Sequence, residues 1–215
     1  MLNGLIIIGA SGFGREVAWL VERINKVTPT WSLLGFIDDN EELQGKNVDG
    51  YPVLGQTKDV GKFMQAHFVC AVGSSRTREK IIHNILQQMP SIKFATLIDP
   101  SVLVSDHVAI GEGTIICAHT ILTVNITIGC HVIINLDCTV GHDAILHDFV
   151  TLYPSVNVSG ITEIGRCSEL GTGTQMIQCK TVGDYSIVGA GAVIVKSIPS
   201  NCTAVGSPAK PIKFL

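Results

Sequence analysis

His142 and Asp143 stand side by side, and they are the residues whose types best suit moving a proton. An imidazole titrates near neutrality, so it can take a proton from an incoming nucleophile at pH 7. An adjacent carboxylate could hold the ring and favour the imidazolium. Neighbours on a straight strand point to opposite sides, so the pair works only at a corner, a place the preceding Val140-Gly141 suits. A second chemical feature is Gly9-Ala10-Ser11-Gly12-Phe13-Gly14, set between the apolar run Leu5–Ile8 and a helical pattern at Arg15–Asn25. Strand, glycine-rich turn and helix aim backbone N–H groups at a phosphate. The spacing is G-x-x-G-x-G, not G-x-G-x-x-G, so a purely structural turn stays open. Asp38-Asp39 is the third feature. An acid closing the second strand is where such folds bond a ribose or base, and a solvated turn with Asn40 and Glu41 is the alternative.

The elements that must hold these residues fall into two regions. In residues 1–97, strands at Leu5–Ile8, Leu33–Ile37 and His67–Val72 end at glycine, Asp38-Asp39 and Gly73-Ser74-Ser75. Helical patterns at Arg15–Asn25, Thr57–Gln65 and Arg76–Gln88 lie between or after them, and Ile92–Ile98 reads as the last strand. Ligands of open α/β sheets bind at such strand ends, which predicts a Rossmann-like α/β domain. Residues 98–215 have another rhythm. From Ile98 to Ile194 every sixth residue is aliphatic, for seventeen hexads without a slip. A helix cannot hold that period, whereas short strands that each deliver one inward side chain and then turn can. The hexads therefore predict an all-β solenoid, with small residues such as Gly111, Gly141 and Gly171 allowing φ > 0 or close backbone approach at its corners.

Composition narrows the partners. The chain has 215 residues, 46% hydrophobic and 15% charged, which describes a packed globular protein. A net charge of −3 without a Lys/Arg run argues against nucleic acid and anionic membrane. The amino terminus lacks the pattern of a signal peptide, and no run is long enough for a membrane span. Seven cysteines without a C-x-x-C pair read as free, mostly buried thiols, so a cytoplasmic location is expected.

Taken together the motifs carry a resemblance. The hexads are similar to those of the left-handed parallel β-helix of hexapeptide-repeat acyltransferases, at three hexads per coil. Gly9–Gly14, Phe36-Ile37-Asp38-Asp39, Ala71-Val72-Gly73-Ser74-Ser75-x-x-Arg78, Asn135-x-x-x-x-Val140-Gly141-His142-Asp143 and Gly206-Ser207-Pro208-Ala209-Lys210 occur in this order. The set resembles the bacterial acetyltransferases that include sialic acid O-acetyltransferases and nucleotide-linked 4-amino-sugar N-acetyltransferases. The resemblance implies acetyl-CoA as co-substrate, no metal, and a homotrimer with coenzyme A between neighbours. It implies an acceptor amine on a UDP-linked deoxysugar, held through Ser11, Gly12, Phe13, Asp38, Asp39 and Gly73, with Asn135 near the sugar. His142 matches the general base and Asp143 the acid beside it, where several members have Glu. Positions 18 apart would stack, which puts His142 under Gly160 and makes the Gly160 N–H the expected oxyanion donor. Pro154, Thr172 and Ala190 would line the coenzyme A groove, and Thr151 stands where members often have an acetyl-CoA-contacting histidine. No cysteine or serine flanks His142, so no acyl-enzyme is expected.

Two other functions fit parts of the pattern. One is O-acetylation of a sialic-acid-like sugar by the same residues. The other is zinc chemistry, because His142-x-x-x-x-His147 with His107 or His119 resembles the ligand spacing of γ-class carbonic anhydrases on the same solenoid. A non-enzymatic nucleotide-binding scaffold is a further possibility. The histidines other than His142 read as solvated surface.

Overall fold

The computed structural model describes residues 2–214. Met1 and Leu215, the outer ends of the two expected domains, lie outside the described residues. The first part is a six-stranded sheet built from β1 (Asn3–Ile8), β2 (Trp31–Ile37), β3 (Asn47–Val48), β4 (Tyr51–Gly55), β5 (His67–Cys70) and β6 (Lys93–Phe94). Its order is β3-β4-β2-β1-β5-β6, parallel except for β3. Helices α1 (Gly12–Val27) and α2 (Ser75–Gln88) pack on it through Val17, Leu20, Val21, Ile82 and Ile85, all buried. Gly14 has to be glycine, since a Cβ there would meet the Gly9 carbonyl oxygen at 2.0 Å.

Three local expectations are corrected here. The β3–β4 hairpin had no counterpart in the sequence reading, although Asp49-Gly50 is a two-residue hairpin signal. Both residues take positive φ, 46° and 87°. The segment expected as a helix at Thr57–Gln65 is a 3-10 turn, Thr57–Phe63, with only Val60 buried and Gly61 weakening helical preference. Ile92–Ile98 is not one strand. Lys93–Phe94 pairs with β5, and then Leu97–Ile98 pairs with Ile115–Ile116, so the chain changes sheets at Ala95-Thr96.

From Leu97 onward the chain winds as a parallel β-helix. Partners are 18 residues apart up to Ile194: Ile115 pairs with Ile133, Ile121 with Thr139, Thr127 with Ile145. Three faces result. The first contains Leu97–Ile98, Ile115–Ile116, Ile133–Ile134, Thr151–Leu152, Glu169–Leu170 and Ile187–Val188. The second runs from Leu103–Val104 through Thr139–Val140 to Val193–Ile194, and the third from Val108–Ile110 to Thr181–Val182. The inward hexad residues Leu122, Ile128, Ile134, Val140, Leu146 and Leu152 form the dry core. Buried hydroxyls in that core are satisfied by the wall, as where Thr114 Oγ1 donates to the Gly129 carbonyl at 3.0 Å.

The corners depart from expectation. Positive φ falls on His119, Asn125, His131, Asp137, Asp143 and Phe149, and continues every six residues to Gly191. These positions lie two residues beyond the frequent glycines. Gly111 and Gly141 serve instead to bring coils together: a Cβ on Gly141 would lie 2.6 Å from Gly160 N. Past the last coil, the strand Cys202–Val205 adds to the first face and Lys210–Phe214 pairs with it antiparallel.

The first face is covered. Ile115, Ile133 and Thr151 point outward yet are buried, packed with Leu5, Val17 and Phe36 of the α/β region. Arg23 also donates to Asp99, with Nη2–Oδ1 at 3.0 Å. Burial pushes the Asp99 carboxyl up, but hydrogen bonds from Arg23 and Ser101 outweigh it and hold the group at about 2. His131 corrects the reading of a solvated histidine: it is 4% exposed, stacked on Phe149 with ring centroids 5.2 Å apart. Burial, then the Arg78 charge, lowers its pKa to about 4.

Candidate active site

His142 lies at the corner between the second and third faces, and Asp143 follows it with φ 59°. That left-handed step turns two neighbours onto one side, so the pairing that a straight strand forbids is made. His142 Nδ1 and Asp143 Oδ2 are 2.8 Å apart. The His142 hydrogen bond first, and Asn125 second, hold the Asp143 carboxyl below the usual carboxylate range. One coil on, the ring rests against Gly160, where a Cβ would come within 2.5 Å of Nε2. Among the described residues the Gly160 N–H has no backbone acceptor, whereas Ile161 N donates to the His142 carbonyl. Here, then, are an oriented imidazole, a carboxylate fixing one of its nitrogens, and the Gly160 backbone close against the other. His147 instead bonds Glu163 at 2.7 Å, and no three metal-binding side chains converge among the described residues. The three-histidine zinc arrangement is thus not assembled.

The sheet end of the α/β region holds two depressions that share Asp38. A cleft of about 400 Å³ is lined by Gly9, Asp38, Asp39, Thr57, Lys80 and Asn84. A wider groove contains Ser11, Asp38, Arg15, Asn40 and Asn47. Both acids already have work. Asp38 accepts from Ala10 N at 2.8 Å and Asn40 N at 2.9 Å, and Asp39 accepts from Thr57 N and Oγ1. Asp38 therefore fastens the glycine-rich turn to the end of β2, and Asp39 fastens the 3-10 turn. Thr77, Lys80, Ile81 and Asn84 were missed as cleft residues, although their i, i+3, i+4, i+7 spacing marks one helix stripe. The two helix N-termini differ. At α1, Ser11 caps without a side-chain bond and Gly12 is exposed, lining neither depression. At α2 the Ser75 N–H is taken by Glu169 Oε1 at 2.8 Å.

A third cavity, of about 140 Å³, opens between α1 and the solenoid, lined by Phe13, Glu16, Gly73, Ile133, Asn135, Thr151 and Tyr153. Tyr153 donates to Glu169 Oε2 at 3.1 Å. Burial, then the Glu169 charge, raises its hydroxyl to about 12, so it stays a neutral phenol. Thr151 belongs to this cavity and not to an acetyl-CoA groove within the chain. It is 1% exposed, accepts from Arg78 Nη2 and donates to the Gly73 carbonyl. Thr172 and Ala190 are exposed at the corner between the first and second faces, in the column of Pro154 and Leu136, beside Asn135. Next to them, a Cβ at Gly173 or Gly191 would meet nothing within 4 Å.

Apart from Ser11, Gly12, Asp38 and Asp39 at the sheet end, the predicted residues gather in two places. Phe13, Gly73, Asn135, Thr151, Thr172 and Ala190 follow one corner. His142, Asp143 and Gly160 occupy the next, a hexad away, roughly 15–20 Å at about 3.3 Å per extended residue. The second place has no wall. The His142 and Asp143 side chains are 57% and 50% exposed, and Val124, Ile121, Ile145, Ile161 and Ile177 around them are exposed too. Burial raises the thiols of Cys70, Cys117 and Cys167 to about 12, so none of these three is a rival nucleophile.

Comparisons with known proteins bear on this geometry. The PglD N-terminal domain family matches residues 4–85. The GDP-perosamine N-acetyltransferase of Escherichia coli O157:H7 is 30% identical, over 96% of this chain and 95% of that protein. The acetyltransferase domain of PglB from Neisseria gonorrhoeae FA1090, solved with acetyl coenzyme A, is 36% identical with a TM-score of 0.89, over 99% of this chain and all of that one. A histidine variant of perosamine N-acetyltransferase from Caulobacter crescentus, solved with CoA and GDP-perosamine, is 27% identical with a TM-score of 0.86, covering 99% and 98%.

Proposed function

Since this chain belongs to the hexapeptide-repeat N-acetyltransferases of nucleotide-linked amino sugars, with a Rossmann-like domain before a left-handed β-helix, we propose that it acetylates the 4-amino group of a UDP-linked deoxysugar from acetyl-CoA. The observation that carries the mechanism is the His142–Asp143 pair lying against Gly160. Asp143 accepts from Nδ1–H and leaves Nε2 as the proton acceptor. As the acceptor nitrogen attacks the acetyl carbonyl, Nε2 removes its proton and the Gly160 N–H stabilises the oxyanion. Collapse breaks the carbon–sulfur bond, and the proton passes to the departing thiolate. The product is the amide and free coenzyme A.

In this reading the glycine-rich turn and the uncapped α1 N-terminus hold the diphosphate, the cleft beside Asp38 and Asp39 holds base and ribose, and the sugar extends into the cavity at Asn135. The small residues Thr172 and Ala190 take the coenzyme arm. Acceptor and coenzyme then sit along one corner while the base sits on the next, so the base must come from a neighbouring subunit. A homotrimer closes that gap and covers the apolar surface around His142. It also shields the thioester from water.

Uridine is the base that the family resemblance implies. Guanosine is a second reading, favoured by the GDP-perosamine relative that is 30% identical. Thiol release assayed with UDP-linked and GDP-linked 4-amino sugars separates the two. Activity on free sialic acid alone would overturn both.

A further inference from the structure

We propose that Arg78 is a positioning residue that sets the α/β region's ligand cavities in register with the solenoid. It rests on the function proposed above. Arg78 lies in the first turn of α2 and is 1% exposed. Nη1 donates to the Val72 and Gly73 carbonyls at 2.6 and 3.1 Å. Nε donates to the His131 carbonyl at 2.9 Å, and Nη2 to the Phe149 and Val150 carbonyls and Thr151 Oγ1 at 2.7, 3.2 and 3.0 Å. One guanidinium thus joins the end of β5 to two successive solenoid coils. Thr151 Oγ1 donates in turn to the Gly73 carbonyl at 2.9 Å, closing a ring of three residues.

No carboxylate pairs with Arg78 among the described residues. Burial, the largest influence, lowers its pKa to about 10, which leaves it charged at neutral pH. A buried charge held only by carbonyl and hydroxyl dipoles is a costly fastener. Apolar side chains of similar volume would join two surfaces at least as firmly. What they lack is direction: a planar fork with five donors fixes angle and distance together.

The carbonyls it fixes matter for ligands. Val72 lines the nucleotide cleft, and Gly73 lines the cavity that also contains Asn135. The cleft is built wholly from residues 8–84, while the cavity takes one wall from each region. Arg78 therefore joins the place where a nucleotide binds to the place where its sugar must arrive. A second tie runs parallel, through Ser75 N–H and Oγ to Glu169 Oε1.

The test is Arg78→Lys, which keeps the charge but cannot reach both sets of carbonyls from one ammonium. Binding of UDP and GDP, by titration calorimetry, should stay within about twofold, because the cleft is intact. Turnover at saturating nucleotide-linked amino sugar should fall about 100-fold, the cost of misplacing reactants by about 1 Å. If that variant does not fold, Thr151→Val opens the same ring and should show the same split at about tenfold. Unchanged turnover overturns the positioning role. So does a parallel loss of nucleotide affinity, turnover and melting temperature, which would mean a structural residue only. If the unaltered protein binds neither diphosphate, the functional reading fails and takes the proposal with it. If it binds one and Arg78→Lys turns over normally, the positioning role alone fails.

Discussion

Two corners of one solenoid share a backbone and differ in surroundings. At the corner of Asn135, Thr172 and Ala190, the lower coils are roofed by Phe13, Glu16 and Gly73 and the upper coils are open. At the corner of His142, one hexad further, none of the described residues roofs any coil. Outward aliphatics show the same contrast. Ile115 and Ile133 are buried under the α/β region, whereas Ile121 and Ile145, equally apolar, are 39% and 40% exposed. A repeat makes every corner geometrically alike, so chemistry comes from what breaks the likeness: a side chain on one corner, a cover on another. It follows that neither corner is a site by itself.

The most severe break in this comparison is His142→Ala. Removing a general base should lower kcat by about 1,000-fold, with little change in the KM for acetyl-CoA. A loss under tenfold would move the chemistry elsewhere. At the other corner, Ala190→Trp should fill the small-residue strip and cost about 2 kcal/mol, about 30-fold in the KM for acetyl-CoA. Mixing the two variants, assayed at acetyl-CoA well below the natural protein's KM so that each alone is nearly silent, sharpens the contrast. Sites shared between neighbouring subunits would restore about a quarter of wild-type sites in randomly mixed trimers. Sites within one chain would restore none.

Smaller effects separate support from chemistry. Asp143→Asn keeps the corner and should cost about tenfold in kcat, since the ring loses a charged partner and keeps a neutral one. The Arg23–Asp99 tie should affect stability, not turnover. The folded Asp99 pKa of about 2 lies below its ordinary 3.8, so its stabilisation is complete above that ordinary value. It disappears as pH falls through about 2, and amounts to roughly 2 kcal/mol. Melting temperatures measured from pH 6 to 2.5 should fall more steeply for the natural protein than for Asp99→Asn.

Much of this was legible in the sequence because repeats expose their own geometry. The hexads from Ile98 to Ile194 implied the solenoid, and the family resemblance they carry implied its 18-residue stacking and the meeting of His142 with Gly160. Local signals were weaker. Gly141 was read for both freedom of φ and close backbone approach; only the close approach is used, and the positive φ falls on Asp143. Thr151 was placed by motif position alone, which cannot reveal that the α/β region lands on that face. Arg78 stood in a quoted motif without a role, because four of its six acceptors lie 53 to 73 residues away. Such partners come together only when the whole chain is folded.

The tail bears on how the molecule behaves in a crowd. Every rung of a parallel solenoid is a template for another, so an open end invites end-to-end growth into fibres. Here the chain reverses at its last rung, where Lys210–Phe214 runs antiparallel to Cys202–Val205 with an irregular register between Thr203 and Ala204. Pro211 has no N–H to offer, and Lys210 and Lys213 bring like charges to any approaching copy. Lys210–Phe214 thus covers the outer edge of Cys202–Val205 and breaks the parallel template on the first face.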